Sequence, residues 1–152
     1  MTASGKIEVR RAPVLTGLSV SWVKRVVSET LRLEKAKRRS VSVFLTNNRR
    51  IRKINKRFLK HDYATDVISF GLGRGARPCA PTTGEGSDYL GDLVVSVEMA
   101  RSVSKKLGIS FKEELARYLV HGTLHLLDYE DEEKKDRVRM HRRQETILRR
   151  VL

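Results

Sequence analysis

Residues 110–131 read SFKEELARYLVHGTLHLLDYED. Ser110, three residues ahead of Glu113, has the form of a capping box, the pair that opens a helix. Phe111, Leu115, Tyr118, Leu119 and Leu124 then give that helix an apolar face. Just upstream, Gly108 is a natural left-handed C-cap for a preceding helix over Val97–Leu107. Further toward the amino terminus lie two short strands, Val67–Phe70 (VISF) and Leu90–Ser96 (LGDLVVS). The stretch between them, Gly71–Asp88, holds five glycines and two prolines and reads as a long loop. Before these come a strand at Lys6–Arg11, a helix at Ser19–Leu33, a β-branched strand at Val41–Leu45 and a helix at Asn47–Phe58. Val23, Val26, Val27 and Leu31 mark the buried face of the first helix, and Ile51, Ile54 and Phe58 that of the second. A last helix over about Glu132–Leu152 is charged over most of its surface. The order β-α-β-α-β-β-α-α-α points to an α+β fold, a small sheet carrying helices, with 1–152 as one domain.

Composition narrows the class. The 152 residues are 39% apolar and 33% charged, compatible with a folded chain. The single cysteine, Cys79, excludes an intramolecular disulfide and a Cys-rich zinc ribbon, and fits a reducing compartment. No run of 18 apolar residues is present, and Met1–Arg11 lacks the apolar core of a signal peptide. The expectation is a cytoplasmic protein without a membrane partner. Formal net charge is +14, and it is unevenly placed. Residues 24–60 hold 14 Lys/Arg against 2 Asp/Glu, whereas residues 61–100 hold 2 against 6. A basic region of that density suits a polyanion such as nucleic acid meeting one face. Two solvated helix faces are the plainer alternative.

The chemistry sits in the opening stretch. His121 and His125 are four residues apart, so both imidazoles project from one helix face, one turn apart. Asp131 follows His125 by six residues, the offset at which a helix-plus-turn zinc signature places its third ligand. Two imidazoles and a carboxylate can hold one Zn²⁺ and leave a coordination position open. Chance pairing, or histidines hydrogen-bonded in a core, are the competing readings. In H-E-x-x-H peptidases the residue after the first histidine is the glutamate that activates water. Here it is Gly122, which accepts no proton, so a peptidase is not expected.

The string from His121 to Asp131 resembles the H-G-x-L-H-L-x-G-Y-D-H signature of the YbeY family of bacterial rRNA-maturation endoribonucleases. Asn55–Phe70 (NKRFLKHDYATDVISF) is similar to the family segment ending T-D-V-L-S-F, and Tyr89–Ser96 (YLGDLVVS) to its L-G-D-I-x-I-S strand. The chain departs at Asp131, in place of the third histidine, at Asp128, in place of glycine, and at Glu130, in place of aspartate. Leu59 takes the position of a family arginine, flanked by Arg57 and Lys60.

The resemblance implies a small mixed four-stranded sheet packed with about five helices, and one Zn²⁺ on His121, His125 and Asp131. It implies metal-dependent cleavage of single-stranded RNA in 16S rRNA 3′-end maturation and ribosome quality control. The implied partners are the 16S rRNA precursor, the small ribosomal subunit and assembly factors, with no DNA. Arg57 is a candidate phosphate clamp, against a solvated helix face. Asp66 and Ser69 are candidates for the cleft wall, against a role as helix or turn caps. His61 and Cys79 lack supporting ligand spacing, and His141 reads as solvated. The alternative function is an RNA- or ribosome-binding assembly factor with weak or no hydrolysis.

Overall fold

Alternation along the strands divides the core into two layers. The computed structural model describes residues 5–12, 17–71 and 88–152; most of the predicted 71–88 loop, with Cys79, lies outside them. The elements are β1 (Ile7–Arg11), α1 (Val20–Leu33), β2 (Ser40–Thr46), α2 (Asn48–Leu59), β3 (Val67–Gly71), β4 (Tyr89–Ser96), α3 (Val97–Leu107), α4 (Phe111–Leu126) and α5 (Lys134–Val151). Their order is the predicted one. The sheet runs β1-β2-β4-β3, with β1, β2 and β4 parallel and β3 antiparallel at the edge.

Because successive strand residues point to opposite faces, each strand feeds both layers. Val41, Val43, Leu45, Leu93 and Val95 join the larger cluster, with Val26, Leu31, Leu115, Leu119 and Leu124 of the helices. Ile68, Phe70 and Val94 face the other way and pack with Ile51 of α2, flanked by Phe44, Ile54 and Phe58. Helices α1, α4 and α5 therefore share one layer, and α2 covers the opposite face. β4 is buried on both faces along almost all its length, as a central strand between two layers must be.

The caps behave as their residue types require. Ser19, Asn47, Ser96 and Ser110 each accept a backbone N–H in the first turn of α1, α2, α3 and α4, and each such bond contributes about 1 kcal/mol. Gly108 ends α3 with φ +68°. α5 starts at Lys134, two residues later than expected. The guanidinium of Arg137 holds the carbonyls of Asp131 and Glu132 at 3.0 and 2.9 Å, keeping 131–133 outside the helix. That leaves Asp131 free to turn back toward α4.

The candidate metal centre

α4 is packed against β3, β4 and the three helices α1, α3 and α5, so its histidines ride on a fixed backbone. At Gly122 the helix lies close against the sheet. A Cβ there would meet Leu93 Cδ2 and Val67 Cγ2 at 2.9 Å and Ser69 Oγ at 3.3 Å. The residue after the first histidine thus faces the sheet. A glutamate in that place would have no room, which supplies the steric side of the argument against peptidase chemistry. Ser69 Oγ donates to the Gly122 carbonyl at 3.0 Å and pins β3 to the ligand helix.

His121 and His125 sit as the four-residue spacing predicts, with Nε2 atoms 3.1 Å apart. α4 ends at Leu126 with Leu127 as its C-cap, and Asp128 takes φ +69°, so this aspartate performs the left-handed turn for which glycine is the usual residue. The reversed chain carries Asp131 back over the histidines. Its Oδ2 lies 3.8 Å from His121 Nε2 and 3.4 Å from His125 Nε2. The three side chains form a group whose ligand atoms all lie within 4.8 Å of one another.

The donor set fits a divalent ion on two counts. The first is size: four-coordinate zinc with bonds of about 2.0–2.1 Å spaces its ligand atoms by about 3.4 Å, close to the three separations found. The second is protonation. His121 Nδ1 lies 2.7 Å from Gln144 Oε1, and His125 Nδ1 lies 3.0 Å from the Tyr129 carbonyl. Both partners are acceptors and favour the tautomer with the proton on Nδ1, whose Nε2 lone pair faces the centre. With both rings in that form the two lone pairs meet at 3.1 Å, a repulsion that a shared cation relieves. Burial, and then the neighbouring His121, hold the His125 pKa below the usual imidazole value despite the opposing Asp131. His125 is therefore uncharged at neutral pH, the form that binds metals.

Around the histidines lies an open cleft of about 600 Å³, lined also by Leu59, His61, Tyr63, Thr65, Ser69 and Arg39. Ser69 thus reaches the cleft. The Asp66 carboxylate accepts from the Val67 amide at 2.7 Å and from Thr65 Oγ1 at 3.1 Å, capping the turn into β3. Arg57 is exposed on α2 with its guanidinium 5.4 Å from the centroid of the Phe58 ring, outside the residues that line the cleft. His61 lines the cleft but stands apart from the ligand group and stacks on Tyr63. His141 is exposed.

Sequence reasoning missed the bracing shell. Gln144 is a polar residue on the buried face of α5, among Met140, Ile147 and Leu148, and that misplacement was a readable signal. Tyr129 Oη donates to Glu34 Oε2 at 2.8 Å, and Arg143 Nε donates to Glu34 Oε1. Arg143 also donates to the Leu33 carbonyl at 3.0 Å. The end of α1, the ligand loop and α5 are thereby tied together beside the centre.

Comparison with known proteins follows the same lines. The family profile described as Endoribonuclease YbeY matches residues 10–152. A protein named Endoribonuclease YbeY from Desulfitobacterium hafniense is 36% identical over 138 residues, covering 90% of this chain and 85% of that one. Another with that name from Halalkalibacterium halodurans is 37% identical over 143 residues, 88% of this chain and 87% of its own. The solution structure of TM1509 from Thermotoga maritima superposes with a TM-score of 0.64 at 22% identity, covering 95% of this chain and 88% of that one, which is a likeness of fold. A mixed sheet in this order, a two-histidine helix closed by a carboxylate, and these matches agree: the chain belongs to the endoribonuclease YbeY family.

Proposed function

We propose that this protein is a zinc-dependent endoribonuclease that cuts single-stranded RNA in 16S rRNA maturation and ribosome quality control. The observation that carries the reading is the convergence of His121 Nε2, His125 Nε2 and Asp131 Oδ2, with both imidazoles oriented by acceptors behind them. Two borderline-soft nitrogens and one carboxylate suit Zn²⁺. When bound, the ion supplies Lewis acidity at a phosphodiester.

The protein's own groups do the rest. Gln144 and the Tyr129 carbonyl hold the histidine tautomers, so neither ring has to rearrange on loading. Ser69 keeps the ligand helix and the edge strand in register at the cleft floor. The basic side of α2, from Arg49 to Lys60, offers the phosphates a sequence-independent track, and Arg57 belongs to that track. The Asp66 cap shapes the segment that leads into β3. Relatives carrying the name Endoribonuclease YbeY support RNA as the substrate class. The small ribosomal subunit and its assembly factors are the partners this reading assigns.

Metal content of protein purified without added metal, measured beside cleavage of a single-stranded RNA, tests the reading. About one zinc per chain, lost with activity in His121→Ala, is expected. A metal-free wild type that still cleaves overturns the metal assignment. A loaded protein that binds RNA and leaves it intact favours the assembly-factor alternative, which the open cleft also accommodates.

A further inference from the structure

The α2–β3 segment presents an aromatic surface inside the same cleft. Tyr63 is 55% exposed, and Leu59 beside it is 45% exposed. Both line the cleft that contains His121 and His125. A large ring so open to water is either incidental or a contact surface, and its mounting separates the two. His61 stacks on Tyr63 with centroids 5.4 Å apart and planes 14° from parallel. Tyr63 Oη and His61 Nδ1 are 3.1 Å apart, which locks the two rings to each other.

The backbone beneath them is fixed. Asn55, only 2% exposed, donates through Nδ2 to the Tyr63 carbonyl at 3.0 Å, and its own carbonyl accepts from the His61 amide at 3.2 Å. Asp62 is held by Arg52 at 2.9 Å. A buried amide and an ion pair thus hold a short exposed segment whose outward product is one half-covered ring. Ordering costs are already met before any ligand arrives.

We propose that Tyr63, backed by His61, is a stacking platform for an unpaired nucleobase next to the metal centre. This rests on the RNA-cleaving reading above and names the part of the strand that the cleft recognises. A ring flanked along one edge by His61 and more than half open to water accepts a flat π-system, and a base offers its face only when it is out of a duplex. The flanking cations argue for nucleic acid over an apolar peptide. Lys56, Arg57 and Lys60 stand exposed in the turn of α2 that leads into this segment, where the phosphates of a strand stacked on Tyr63 would pass. The apolar Leu59 extends the platform and carries no charge of its own. Selectivity for single strands then comes from the geometry of one side chain, without any reading of base identity.

The test uses short single-stranded RNAs, each with 2-aminopurine at a different position, mixed rapidly with the whole protein and read before cleavage accumulates. Wild type and Tyr63→Phe are expected to quench the fluorescence at one position. Tyr63→Leu should abolish the quench and weaken binding by about 5- to 150-fold, the loss expected for one stacked base. The dependence of affinity on salt should stay the same, since no charge is removed. A fully abasic strand should bind wild type and Tyr63→Leu equally. Equal binding of the normal strand by Tyr63→Leu overturns the platform while leaving the nuclease reading intact, and so does an equal loss on the abasic strand. Failure of wild type to bind any single strand overturns both.

Discussion

Replacing Gln144 by leucine removes the acceptor behind His121 and changes nothing that would touch the ion itself. The hydrogen bond is short, 2.7 Å, and its donor is a ring half-buried against α5. Leaving that N–H without a partner costs about 1–3 kcal/mol. Loss of such an orienting group lowers metal affinity by about 10- to 100-fold, and at about 1.4 kcal/mol per decade the two figures agree. Leucine itself suits the site, since Gln144 is flanked on the buried face of α5 by Met140, Ile147 and Leu148. Without metal the His121 proton can shift to Nε2 and bond to His125, so the metal-free variant should melt within a few degrees of wild type. The loaded variant should lose part of its metal-induced gain, about 3 to 11 °C for a domain of this size under saturating zinc. Competition against a chromophoric chelator gives the affinity, and calorimetry of loaded and metal-free protein gives the melting shift. Gln144→Glu keeps an acceptor and should retain affinity. Wild-type affinity in Gln144→Leu, or equal losses in the leucine and glutamate variants, refutes the claim that this bond orients His121.

Three other outcomes follow from the same geometry. Asp131→His replaces a carboxylate by a softer imidazole and should tighten zinc binding in a chelator competition; equal or weaker binding would show that the turn at Asp128, with its φ of +69°, sets the site. Gly122→Ala adds a methyl into contacts of 2.9 Å on two sides, so the overpacking cost of about 1–3 kcal/mol should exceed the roughly 1 kcal/mol of helix propensity gained, and chemical denaturation should report a net loss; a more stable variant would mean that α4 can lift from the sheet freely. Neutralising Arg49, Arg50 and Lys53 together should flatten the slope of log affinity against log salt by about 0.7 for each phosphate of a single-stranded RNA that these side chains pair with, and an unchanged slope would remove α2 as the phosphate track.

Much of the architecture was legible because its signals are local. The caps at Gly108 and Ser110 and the β-branched run Val41–Leu45 depend on neighbours a few residues away, and each element appears within two residues of its expected limits. The His121, His125 and Asp131 group was legible for the same reason, since one helix turn and one reversal bring it together. Gln144, Glu34 and Arg143 were not, because their contacts cross 23 to 110 positions of chain and depend on how α1 and α5 pack beside α4. Arg57 shows the converse limit. Its place in the sequence, beside the position of a family arginine, says nothing of direction, and only the structure shows the exposed guanidinium 5.4 Å from the centroid of the Phe58 ring.

The attachment of α5 carries one more consequence, for motion. This helix holds His121 through Gln144 and the ligand loop through Arg143 and Glu34, and it is clamped to α4 by Arg117 between Glu114 and Glu145. Whatever lets α5 fray also releases the tautomer and the loop, so an ion favouring the braced arrangement must, by reciprocity, make the frayed state rarer. The amides of α5 should then exchange with solvent deuterium more slowly once zinc is loaded, although none of them touches the ion. Helix and centre should then open as one cooperative unit.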